Sequence, residues 1–185
     1  MSATLFEPTE ATADKRGAIL SPCRAYRYHL WRVWDECLPC LVFVMQNPST
    51  ADAIVPDPTI TRCIGFAKRD GYGGISVRNI FALRATDETE LLTHPDPVGP
   101  QNESHLLHAR AVSMMTRLVV AWGTRLGGHK LDRHYTNAHN LLLPQKPYCL
   151  GINKCGEPKH PLYLAGATPM VPWERPPYKP TRRRR

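Results

Sequence analysis

The sequence predicts a single α/β domain of three layers, a mostly parallel central sheet with helices on both faces, and three observations predict it. Leu41-Val-Phe-Val-Met45 is apolar at every position, as a central strand covered on both sides must be. Strand-like and helix-like segments follow in the order β, β, α, β, α, β, α, β, and crossover helices of that kind join parallel strands. Several apolar strands also stop abruptly in polar loops, and open α/β sheets bind ligands at the carboxyl ends of their strands.

Residues 1–21 are polar without a sustained apolar period and read as a flexible arm. From Tyr26 to Trp34 bulky and polar residues alternate, the period of a half-buried strand, and Asp35 to Pro39 supply a turn. The central strand then ends at Gln46-Asn-Pro-Ser-Thr50. Asp57 and Pro58 have the order of a cap and first helical residue, with Ile60, Ile64 and Phe66-Ala67 as the apolar stripe; Gly71-Tyr-Gly-Gly74 closes that helix. Ile75 to Phe81 is a second central strand and runs into Arg84-Ala-Thr-Asp87; 88–100 is proline-rich and loop-like. Helical spacing over 101–115 leads to a strand at Leu118–Trp122, a second helical stretch over 126–143 to a short strand at Pro147–Leu150, and a polar loop to Pro161-Leu-Tyr-Leu164. The domain limits are thus 22–166, with a Pro/Arg-rich tail over 167–185.

A net charge of +8 and a pI near 9.4 point to a polyanionic partner, because neutralising phosphates releases counterions. Half of that excess sits in Arg182–Arg185; the body keeps about +4 without them. No stretch approaches the roughly 20 apolar residues of a membrane helix, and the N-terminus lacks the order of a signal peptide, so a cytoplasmic protein without membrane contact is expected. Cys37-Leu-Pro-Cys40 has C-x-x-C form, but no second pair completes a zinc set; no metal and no cofactor are expected.

The candidate chemistry lies in three polar segments: Gln46-Asn47-Pro48-Ser49, Asn79 within its strand, and Lys159-His160-Pro161. An amide inside an otherwise apolar strand must find partners, which makes Asn79 the most pointed of these residues. Each has a plain alternative: Asn-Pro is a common turn dipeptide, His160 can be an ordinary loop residue, and Ser49 and Thr50 can cap the next segment. Asp52 is a general base or a solvated loop acid, Arg84 and Asp87 a simple pair or a cap, and Phe66 a core residue rather than a stacking ring. Lys154, Lys159 and Arg84 suit phosphate contacts.

A strand-end polar-Pro loop, a strand asparagine and a late His-Pro loop, in that order, resemble the uracil-DNA glycosylase superfold. There the first loop reads Gly-Gln-Asp-Pro or Gly-Ile-Asn-Pro, and Met45-Gln46-Asn47-Pro48 looks like a cross between them. The resemblance implies that Asn47 and Gln46 position water, that Asn79 with Pro48 and Ser49 holds the base edge, and that His160 stabilises the departing base. The strings NPSTADA, DPTI, GYGG, RNIFALRATD and HPLYL resemble, more closely, a bacterial and phage family known as domain of unknown function 1643, which brings no activity with it. The expected function is handling of a nucleic-acid base, DNA rather than RNA, by a glycosylase-like enzyme that removes or modifies an extruded base; the alternative is a non-catalytic nucleic-acid or nucleotide binder on the same fold. An asparagine at position 47 cannot take a proton as aspartate can, which predicts slow hydrolysis or none.

Overall fold

The computed structural model describes residues 10–12, 15–49, 57–127 and 130–174, with side chains from Lys15 onward. Thr50, Asp52 and Arg182–Arg185 lie outside these residues. Eight strands form one mixed sheet: β1 (Glu10–Thr12), β2 (Arg16–Leu20), β3 (Arg27–Val33), β4 (Cys40–Met45), β5 (Gly74–Asn79), β6 (Leu118–Val120), β7 (Tyr148–Cys149) and β8 (Val171–Pro172), in the order β1-β2-β3-β5-β4-β6-β7-β8. The helices are α1 (Pro58–Arg69), the single turn α2 (Glu90–Thr93), α3 (Asn102–Val112) and α4 (Asp132–Leu142).

The expectation of a mostly parallel sheet holds only at its centre. β5, β4, β6 and β7 run parallel, whereas β1, β2 and β3 on one side and β8 on the other pair antiparallel. The reason is connection length: the turn between β2 and β3 spans residues 21–26, too short for the crossover a parallel pair requires. Two further expectations change. The stretch read as a flexible arm contains β1 and β2, with Ala18 fully buried, and the segment read as a tail contains β8 and the buried Trp173. Arg16-Gly-Ala-Ile-Leu20 carries too short an apolar run to announce itself as a strand.

β4 fixes the layers. Leu41, Phe43 and Met45 face α1 together with Ile60, Cys63, Phe66 and Ala67, while Val42 and Val44 face α3 and α4 with Leu106, Ala109, Tyr135 and Leu142. Leu41 through Val44 are 0% exposed, each side chain contributing on the order of 2 kcal/mol of burial. α1 begins as its sequence predicts: Asp57 Oδ1 accepts from the Ile60 amide at 2.8 Å, and Pro58 occupies the first turn. The helix is tied to the late chain, since Arg62 donates to the Leu164 carbonyl and, at the C-terminal end, Arg69 Nη1 donates to the carbonyls of Gly166 and Thr168 at 2.6 Å each.

Two polar features are embedded in the α3 side. Asn102, fully buried, donates through Nδ2 to the carbonyls of Asn79 and Ile80 at 2.9 Å each, pinning the chain where it leaves β5. Within β5 itself, Arg78 donates to Ser76 Oγ at 2.6 Å, and Ser76 in turn pairs with His29 Nε2 at 3.1 Å. A bulge in the β2–β3 pairing turns Tyr28 to the same side, where its ring stacks on His105 at 4.9 Å. Burial lowers Arg78 to about 9, and burial together with that guanidinium lowers His29, His108 and His105, the last to about 4.

These histidines are neutral in the folded chain and charge more readily once unfolded, near 6.5. The stability they confer is therefore complete above pH 6.5 and lost as pH falls towards 4. Thermal melts should show a Tm that is flat above pH 7 and falls below 6.5, and His105→Gln should reduce that slope by about 1 kcal/mol per pH unit; an unchanged slope contradicts the burial assigned to His105. Asn102→Ala should cost about 2–3 kcal/mol in chemical denaturation, because it strands two buried carbonyls.

Candidate functional site

The connection after β4 passes to the α1 face, and those after β5 and β6 pass to the opposite face, so a crevice opens at the carboxyl end of β4 where the strand order reverses. Two cavities occupy it. One, of about 200 Å³, lies beside the ends of β4 and β5 and the first turn of α1; the other, of about 470 Å³, lies beyond β6. Gln46, Glu88, His160 and Tyr163 line both, so the two are compartments of one site.

Short backbone links build the smaller compartment. The Ile80 and Phe81 amides donate to the carbonyls of Met45 and Gln46 at 2.9 Å, laying the end of β5 along the loop after β4. Asn47 Nδ2 donates to the carbonyls of Ala85, at 3.1 Å, and Pro48, at 3.3 Å, while the Ala85 amide donates to the Pro48 carbonyl at 3.1 Å. With its N–H groups spent on the backbone, Asn47 has its Oδ1 to offer a ligand. Asn79 is 4% exposed, and that residual surface faces the cavity. Ser49 Oγ donates to Asp57 Oδ2 at 2.6 Å, joining the loop to the α1 cap, and the buried guanidinium of Arg27 completes the wall.

Gln46 is oriented from behind. Tyr135 donates from its hydroxyl to Gln46 Oε1 at 2.8 Å and accepts from the Leu126 amide at 3.1 Å, so Gln46 presents its Nε2 hydrogens to the site. His160 caps a 3-10 turn over Pro161–Tyr163, its Nδ1 accepting from the Leu162 amide at 3.4 Å. That contact leaves Nε2 as the protonated nitrogen of the neutral ring. Burial pushes the imidazole below the ordinary histidine range, against the opposite pull of the Glu88 and Asp57 carboxylates. Gly123, at φ +81°, lets the chain turn beneath this residue, and a Cβ there would stand 3.4 Å from that of His160.

The larger compartment is walled by Trp122, Gly123, Thr124, Asn153 and Lys159. Trp122 is held in place by its Nε1, which donates to the buried Glu157 at 2.8 Å; Glu157 also accepts from Arg125 Nε at 2.6 Å.

Of the residues singled out in the sequence, Gln46, Asn47, Ser49, Asn79 and His160 line the smaller compartment and Lys159 lines the larger. Pro48, Arg84 and Lys154 line neither: Pro48 is buried with its carbonyl bonded to the chain, Arg84 donates to the Arg24 carbonyl at 3.2 Å, and Lys154 is exposed. Asp87 is a cap, its Oδ1 accepting from the Thr89 amide at 2.8 Å, and Phe66 is 2% exposed in the core. Among the described residues no group of three or more metal-binding side chains converges, and no helix is long and apolar enough to cross a membrane. Sequence reasoning missed Arg27, Glu88, Trp122 and Tyr163; Trp122 had a signal, as the last residue of an apolar strand, whereas Glu88 sits in a loop that no motif marks.

Comparison with the curated proteins and with the solved structures finds no match. A family model does match, over residues 27–162, a span that includes every residue lining the two compartments except Tyr163 and Leu164. The chain belongs to the family described as "Protein of unknown function (DUF1643)".

Proposed function

We propose that the crevice binds a nucleic-acid base, taken from DNA in preference to RNA, on a fold resembling the uracil-DNA glycosylases. What carries this reading is that Gln46, Asn47, Asn79 and His160, drawn from three separate segments, line one cavity of about 200 Å³. A base edge alternates donors and acceptors, and the site offers both kinds: the Asn79 amide, Asn47 Oδ1, Gln46 Nε2 and His160 Nε2–H. Breaking a glycosidic bond leaves negative charge on the base, and a neutral His160 beside the Gln46 amide supplies two donors where that charge develops. The sugar and phosphate then extend into the larger compartment, where Lys159 and Thr124 stand. The combined space, near 700 Å³, falls within the range of small-molecule sites.

A second reading is a binder without turnover, and one observation favours it: Asn47 is an amide tied to the backbone and cannot accept a proton.

Binding separates the site from mere basic charge. Full-length protein should bind a single-stranded oligonucleotide bearing one deoxyuridine or a mismatch-derived base more tightly than its undamaged counterpart. Asn79→Ala should weaken that preference by about tenfold or more, the value of a lost bidentate edge contact. Deleting Arg182–Arg185 should lower affinity for both oligonucleotides alike and flatten the salt dependence. Equal binding by Asn79→Ala and the unmodified protein, measured by fluorescence anisotropy, contradicts the reading.

A further inference from the structure

We infer that Glu88 is the catalytic base of this site, taking the proton of a water that attacks a glycosidic carbon held at the junction of the two compartments. The inference rests on the base-handling reading above.

Position is the first ground. If the base fills the smaller compartment and the sugar the larger, the bond between them crosses the boundary, and among the described residues only Gln46, Glu88, His160 and Tyr163 line both sides. Glu88 is the one carboxylate among these four.

Elimination among the described residues, which do not include Asp52, is the second. The amides of Gln46, Asn47 and Asn79 cannot accept a proton at useful cost, and Lys159 has no acceptor. His160 Nδ1 already accepts from the Leu162 amide. Asp57 spends one oxygen on the Ile60 amide and the other on Ser49. Glu157 is buried and bonded to Trp122 and Arg125. No hydrogen bond from a described residue ends on the Glu88 carboxylate, which is exposed over the junction.

The backbone around Glu88 is nevertheless fixed. Asp87 accepts from the amides of Thr89, through Oδ1 at 2.8 Å, and Glu90, through its carbonyl at 3.1 Å, and the Glu88 carbonyl accepts from the Leu91 amide at 3.1 Å. The turn is pinned while the carboxylate is left to the site.

The chemistry balances without an additional reactant. Water forms a bond from oxygen to the anomeric carbon and gives its proton to Glu88; the carbon–nitrogen bond breaks and its electron pair leaves with the base. His160 Nε2–H and Gln46 Nε2 hold the anionic base until it takes up the proton from Glu88, giving the free base and a hydroxyl sugar. A carboxylate supplied from this loop compensates for the missing acid at position 47.

The test uses the full chain with deoxyuridine-bearing and mismatch-bearing single-stranded oligonucleotides and free dUMP, following released base by chromatography. The unmodified protein should release base from at least one probe. Glu88→Gln should lower kcat about 100-fold or more with KM little changed, and should remove the acid limb of the pH–rate profile. Glu88→Ala should regain part of the rate with added formate. Glu88 is exposed, so an unaltered melting curve for either variant excludes misfolding as the cause. Turnover by Glu88→Gln within threefold of the unmodified protein overturns the assignment, as does the absence of base release from every probe. If release is absent while Asn79→Ala still abolishes selective binding, the role of Glu88 falls and the base-binding reading stands; if Asn79→Ala binds normally, that reading falls as well.

Discussion

The enclosure of β4 governs everything at the carboxyl edge of the sheet. The strand has parallel neighbours on both sides and helices on both faces, so its backbone is fully paired and its side chains are fully apolar. Polar groups can appear only where it ends, and the chain places four of them there in succession, Gln46 to Ser49 if the Pro48 carbonyl is counted. Because the next connection crosses one face and those after β5 and β6 cross the other, the ends of the three strands are held apart and a crevice forms. The cavity follows from how the core is wound, not from any single loop.

Rigidity comes from side chains that never touch the ligand space. Asn102 ties the exit of β5, Tyr135 aims Gln46, Glu157 locks Trp122, and the arginines of α1 hold the segment that follows His160. The Tyr135 bond commits one atom of the Gln46 amide and leaves the other to the site, as the backbone bonds of Asn47 do for its Oδ1, which is how an amide-rich pocket acquires a defined pattern of donors and acceptors. A neutral histidine is part of the same economy: its Nδ1 serves the backbone turn and its Nε2–H remains for a ligand.

Much of this was legible from residue order. The all-apolar run at 41–45, the Asp-Pro helix start and the amide inside β5 carry their own physical signatures, and they located the core, α1 and the smaller compartment. What was not legible lacks local periodicity. β2 is five residues long and β8 only two, and such segments become strands through the edges they find rather than through their composition. Glu88 and Tyr163 enter the site because a short capped turn and a 3-10 turn project them there, and neither turn has a pattern that distinguishes it from solvated loop. Conversely, Lys154 and Arg84 are of the right type for phosphate but lie outside both compartments, since charge alone says nothing of direction.

The most direct measurement of the central claim is amide chemical-shift mapping of the full chain titrated with dUMP. A ligand seated at the junction should shift the backbone signals of Asn47, Asn79, Gly123, Thr124 and His160 together on one binding curve, leaving Lys154 and the outer face of α3 unmoved. Shifts confined to the arginine-rich C-terminus, or none at the ends of β4, β5 and β6, would contradict the assignment of this crevice to a nucleic-acid base.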